Sequence, residues 1–169
     1  MHVPVLTHDE IKKELELGTI QISPQIDENQ ISVASVDLHI ANEFRIFRKN
    51  NEVIDLKETT DYKDLTEEVI ADQLVIHPQE TVLGITTEKI TLPGDICGWL
   101  EGRSRFARLG LLIHISAGFI QPGVSNRQVL EITNLSPNTL VLHANEKICQ
   151  IVFQRCEGSA KYNGMFVRQ

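Results

Sequence analysis

From Leu74 to Phe153 the chain is a succession of short β-branched and apolar runs, most of them eight to twelve residues apart: Leu74–His77, Val82–Thr86, Lys89–Leu92, Ile96–Leu100, Leu111–Ile115, Gln128–Ile132, Leu140–His143 and Ile148–Phe153. Turn-forming sequence separates them at His77-Pro78, Leu92-Pro93-Gly94, Gln121-Pro122-Gly123 and Ser136-Pro137-Asn138. Runs this short and this close predict antiparallel pairing in a barrel or sandwich, and argue against a doubly wound α/β sheet.

The N-terminal part adds one helix and more strand. Thr7-His8-Asp9-Glu10 has the form of a capping box ahead of Ile11 and Leu15, with Gly18 as the stop. Alternating apolar residues then predict strand over Ile20–Ile22 and Ile31–Ile40, extended by Phe44, Ile46 and Phe47. Lys49 to Gln73 is rich in Glu, Asp, Lys and Thr and reads as a surface excursion, with at most a short amphipathic helix around Leu65 and Val69. Residues 1–169 read as one domain, and Glu157 to Gln169, polar with Gly158 and Gly164, as a mobile C-terminal tail.

Charge narrows the partners. With 16 Lys+Arg against 23 Asp+Glu the net charge is −7, which disfavours nucleic acid and anionic membrane, since both need a basic field. A polyanionic ligand must be gripped locally. No apolar run is long enough to span a bilayer, and the acidic start lacks the pattern of a secretory signal. Cys97, Cys149 and Cys156 form neither an even set nor a C-x-x-C pair, so neither a disulfide framework nor a zinc ribbon is expected, and a reduced, cytoplasmic protein is the simple reading.

Three places carry residues suited to chemistry. Arg103, Ser104, Arg105 and Arg108 follow the strand Ile96–Leu100 and form the most cationic spot on an acidic chain. Guanidinium forks and a hydroxyl beside the Gly102 turn suit phosphate oxygens, although a solvated basic turn has the same composition. Glu131 interrupts the apolar strand Val129-Leu130-Glu131-Ile132. On a buried face it must be paired or shifted in pKa, as a general base or acid requires; on a solvent face, which the strand alone favours, it means nothing. Finally, the Gly-containing bend His114 to Gly123 offers backbone donors and acceptors, with Phe119 either stacking on a flat base or packing as core.

These pieces, in this order, resemble the dCTP deaminases of the dUTPase-like superfamily. The resemblance runs nearly end to end, through Ala34-Ser35-Val36-Asp37-Leu38-His39, Asn42-Glu43-Phe44-Arg45, Gly98-Trp99-Leu100-Glu101-Gly102-Arg103-Ser104, Ala107-Arg108-Leu109-Gly110, His114 to Gly123 and Val129-Leu130-Glu131-Ile132-Thr133-Asn134. It implies a mainly β, distorted jelly-roll subunit (a dUTPase-like β-clip barrel with a short N-terminal helix) that forms a homotrimer with sites at the subunit boundaries. The implied reaction is zinc-independent hydrolysis of dCTP to dUTP and ammonia. Glu131 would activate water, with Ser104, Arg108 and the backbone of Ala117 orienting the reacting groups. Arg103, Gln150, Lys161 and Tyr162 match positions that hold the triphosphate, and Mg²⁺ would arrive on that triphosphate and not in a protein cage.

Two departures stand out. Gln121 occupies a position where the family usually has Asp against the sugar; its amide still hydrogen-bonds a hydroxyl but is no carboxylate. Arg105 replaces a frequent second serine, adding charge beside the phosphates. Ala117-Gly118-Phe119 resembles members that continue from dUTP to dUMP and pyrophosphate, whereas Gln121 speaks against that step, so both products stay open. The alternatives are a dUTPase, whose strand usually lacks the glutamate matching Glu131, and a nucleotide-sensing module of the same fold without turnover.

Overall fold

The computed structural model describes residues 4–49, 52–114 and 116–164. Helix α1 (His8–Glu16) buries Ile11 and Glu14. Thr7 sits at its N-cap in extended conformation, but its side chain makes no capping bond, so the expected capping box is not formed. Gly18 follows with φ +70°, the left-handed conformation in which helices commonly end.

Strand β1 (Gln21–Ser23) and a single 3₁₀ turn lead into β2 (Val36–Phe47), the long strand anticipated from Ile31 onward. The acidic excursion differs from expectation. Its helix α2 spans Tyr62–Leu65, and the residues read as helical after it form strand β3 (Thr66–Ile70), antiparallel to β2 with Phe44 opposite Val69. Leu65 and Val69 fit either period; β-branched Thr66, Val69 and Ile70 beside an open strand edge settle it as sheet. Strand β4 (Gln73–Ile76) follows, and then β5 (Thr81–Thr91), which joins two expected runs across a register shift between Ile85 and Lys89.

The remaining elements are β6 (Ile96–Gly102), the one-turn helix α3 (Ser104–Ala107), β7 (Leu111–Ile113), β8 (Phe119–Ile120), β9 (Ser125–Asn134), β10 (Leu140–His143) and β11 (Lys147–Arg155). Ile115, the expected end of the β7 run, lies outside the described residues, as do Met165 to Gln169 at the C-terminus. The large sheet has the order β7-β9-β5-β2-β11-β6-β8, with β1 on β5 and β3 on β2; β4 and β10 pair separately. Every strand pairing is antiparallel. The protein is mainly β, its sheet curled into a half-barrel.

The concave side of that sheet closes on Ile40, Phe44, Ile90, Leu100, Leu130, Ile132 and Phe153, all essentially without solvent exposure. Each such side chain contributes roughly 1.5–3 kcal/mol relative to leaving it in water, so strand register is strongly specified. On β9 the alternation buries Gln128, Leu130 and Ile132 and turns Arg127, Val129 and Glu131 to the other face. A polar cluster around Glu88 enters the interior. The buried Glu88 carboxylate accepts from the His39 backbone N–H (2.9 Å) and from Gln30 Nε2 (3.0 Å), and meets His39 Nδ1 at 2.6 Å. It thereby joins β2, the 3₁₀ turn and the irregular middle of β5.

Candidate active site

Two strand pairings assemble the groups that the sequence singled out. Because β11 lies between β2 and β6, Gln150 has Asp37 on one side and Glu101 on the other, and Arg103 leaves the end of β6 beside them. Arg103 Nη2 lies 2.9 Å from Asp37 Oδ2, and Nη1 donates to the Lys147 carbonyl at 2.7 Å. Lys147 Nζ is 3.9 Å from the same Asp37 oxygen. Gln150 accepts from Ser35 Oγ (2.8 Å) and donates to the Gly102 carbonyl (3.4 Å). Arg103 and Gln150, expected to serve one ligand, are indeed neighbours. Asp37, Ser35 and Lys147 were not among the residues singled out. The signal for Asp37 was a carboxylate among Val36, Leu38, Ile40 and Ala41, in the first half of β2, which is buried on both faces.

The second group forms where β7 runs beside β9. His114, with φ +53°, ends the strand and its N–H donates to the Glu131 carbonyl at 2.8 Å. Its ring then turns back: Nδ1 lies 2.9 Å from Glu131 Oε2, and Nε2 donates to the Ala117 carbonyl at 2.9 Å. A carbonyl only accepts, so Nε2 carries a proton. Nδ1 and Oε2 are themselves buried and out of line for a hydrogen bond with each other, while the Glu131 side chain as a whole retains 36% of its exposure. Burial works to raise the Glu131 carboxyl, and the polar contact and charge of His114 outweigh it, holding the group below the ordinary glutamate value. His114 was read only as the start of a bend; its part in joining Glu131 to Ala117 follows from the turn geometry.

The rest of the expected residues lie around these two groups. Ser104, Arg105 and Arg108 are exposed on and after α3, which Gly110 (φ +85°) terminates against Ser136. Arg105 lines a cavity of about 320 Å³ with Phe106, Leu140 and Leu142, while Gly102, Ala107 and His114 share a different one of about 480 Å³ with Trp99. Phe119 is not core. It is 40% exposed and stacks at a tilt on Trp99, ring centroids 4.8 Å apart. Exposed Gln121 opens the Pro122-Gly123 turn, and there the C-terminal segment comes down: Ala160 N donates to Gly94 O (2.8 Å) and Tyr162 N to Pro122 O (3.1 Å). Lys161 and Tyr162 thus lie beside Gln121. Among the described residues no cluster of three or more His, Cys, Asp or Glu side chains is placed to hold a metal ion.

This curled sheet is the dUTPase-like fold. The dUTPase of phage phi11 of S. aureus superposes with a TM-score of 0.56 over 87% of this chain and 97% of its own, at 15% identity. The 2'-deoxycytidine 5'-triphosphate deaminase of Agrobacterium tumefaciens superposes with a TM-score of 0.71 at 18% identity, over 92% of this chain; the chain spans about half, 49%, of that longer one. Within the fold, a family model described as dCTP deaminase-like matches residues 5–156, and the chain belongs to that family. Its sequence is 34% identical to the dUMP-forming dCTP deaminase of Methanobrevibacter smithii, over 98% of this chain and 91% of that one. It is 39% identical to the dCTP deaminase of Aeromonas salmonicida, over 92% and 86% respectively.

Proposed function

We propose that the protein hydrolyses the exocyclic C4–N bond of dCTP, giving dUTP and ammonia, with Glu131 as the proton carrier. The single observation behind this reading is the Glu131–His114–Ala117 arrangement, a half-buried carboxylate fixed by a histidine whose other nitrogen is tied to backbone. Water beside the open carboxylate oxygen would lose a proton to Glu131 as its oxygen attacks C4, and Glu131 would pass that proton to ring N3. The C4 hydroxyl then gives its proton to Glu131, which delivers it to the amino nitrogen as the C4–N bond breaks, leaving a C4 carbonyl and ammonia. The Ala117 segment, carrying exposed backbone, is the place for the departing amino group. Arg103, drawn to Asp37 and flanked by Lys147, would meet the triphosphate. Two cations against one carboxylate suit phosphate oxygens, so Mg²⁺ would come already coordinated by the nucleotide.

The site groups face outward: Ser104, Arg105 and Arg108 are exposed on and after α3, and Glu131 lies on the outer face of β9. This placement supports assembly as a homotrimer in which α3 of one copy completes the Glu131 group of another. Continuation to dUMP is the second reading, favoured by the Ala117-Gly118-Phe119 bend and by the dUMP-forming relatives. Gln121 provides no carboxylate for that step. Incubation with dCTP and, separately, dUTP followed by product analysis decides: ammonia and dUTP from dCTP support the proposal. Pyrophosphate from dUTP with no ammonia from dCTP identifies a dUTPase instead, and tight dCTP binding without products a sensing module.

A further inference from the structure

Where the C-terminal segment leaves the sheet, two of the three cysteines come together. Cys97 on β6 stands opposite Gln154 on β11, and its thiol donates to the Gln154 carbonyl at 3.5 Å. Cys156 lies two residues beyond Gln154, on the same side by strand alternation, and its N–H donates to Asp95 O at 2.8 Å, so the two chains stay in ladder contact past the last paired residue. Cys97 and Cys156 are therefore diagonal neighbours on one face of the ladder, near enough for their thiols to interact. Cys97 is 5% exposed, whereas Cys156 is partly exposed; both are free thiols. Cys149, entirely buried further back on β11, has no part in this contact.

We infer that Cys97 and Cys156 form an oxidisable pair, which closes to an intrachain disulfide on exchange with a small-molecule disulfide such as oxidised glutathione. In the first step the Cys156 thiolate attacks one sulfur of the oxidant; the oxidant's S–S bond breaks and one glutathione thiolate leaves and takes a proton. In the second, Cys97 gives its proton to solvent and attacks Cys156 Sγ, expelling the second glutathione. Two protein thiols are oxidised and one disulfide is reduced to two thiols. The order follows from access: a small oxidant reaches partly exposed Cys156, while burial pushes the Cys97 thiol up to about 11 and so disfavours its direct attack on the oxidant. The bridge would tie the start of β6 to the root of the segment that carries Lys161 and Tyr162 past Gly94 and Pro122.

The test is to treat the full chain with excess oxidised glutathione, block remaining thiols by alkylation, and map the product by intact mass and peptide analysis. The expected product is a single chain lighter by two hydrogens, with a linked Cys97–Cys156 peptide, Cys149 unmodified until denaturation, and full reversal by a dithiol. In Cys97→Ser the glutathione adduct on Cys156 should persist, and in Cys156→Ser no adduct should form. The inference is overturned if wild-type Cys156 keeps its adduct without closing, if the bridge joins two chains or includes Cys149, or if all three thiols stay reduced. Because the wild-type map decides it, folding defects in a variant leave the conclusion intact.

Discussion

At the scale of single residues, the Glu131–His114 pair is where chemistry and structure depend on each other. Glu131→Gln keeps the shape and removes the base; nucleotide binding by calorimetry should persist while kcat falls by at least ~10²-fold, as loss of general acid–base help implies. Unchanged turnover would remove Glu131 from the mechanism. His114→Ala tests how the carboxylate is held. With His114 present the Glu131 carboxyl lies below its ordinary value despite burial, so the base stays ionised to lower pH. Without it burial dominates, and the acidic limb of the pH–rate profile should move to higher pH. A limb that stays put while the rate falls would give His114 a merely structural role. Arg103→Ala should instead raise KM with little change in kcat, the mark of an interaction made equally in ground and transition states. Alkylation of the native chain should label Cys156 first, because burial raises the thiols of Cys97 and Cys149.

At the scale of elements, the C-terminal segment and α1 converge on the end of β11. Gly123 has φ +79°, and a Cβ there would lie 3.0 Å from both Lys161 Cα and Tyr162 N. Gly123→Ala therefore combines a left-handed backbone cost of roughly 1–2 kcal/mol with displacement of the segment beside Gln121. A lower melting temperature and weaker nucleotide affinity together are the expected result; an unaltered affinity would separate this segment from the site. On the other side, buried Glu14 of α1 pairs with Arg155, whose hydrogen bond holds the Glu14 carboxyl below its usual value against desolvation. A depressed carboxylate stabilises the fold above its unfolded pKa, and that contribution is lost as pH falls through the folded value. Arg155→Ala should lower stability at neutral pH and flatten the acid limb of the melting-temperature profile; a parallel shift of the whole curve would contradict this linkage. Thr66–Ile70 as strand in place of helix belongs to this scale too, since so short an apolar spacing takes its period from its pairing with β2.

At the scale of the whole molecule, Trp99 and Phe119 remain 42% and 40% exposed beside the bend, and the α3 arginines face outward. Sedimentation should give three times the 19.1 kDa chain mass, and mixing inactive Glu131→Gln with inactive Arg108→Ala chains should restore part of the activity. Full activity in a monodisperse monomer would overturn the shared-site arrangement. Much of this molecule was legible in one dimension. Strand spacing and turn residues specified an antiparallel β fold, because the two-residue period and the demands of Pro and Gly are local properties of the chain. The cationic run after β6 and the lone carboxylate on β9 were likewise visible as residue types out of keeping with their surroundings. Their partners were not. Asp37 beside Arg103, His114 beside Glu131 and Cys97 beside Cys156 arise from pairing strands far apart in sequence. Which face of β9 holds Glu131 near a histidine is a matter of register, and register is fixed by the burial of Leu130 and Ile132 against the rest of the core.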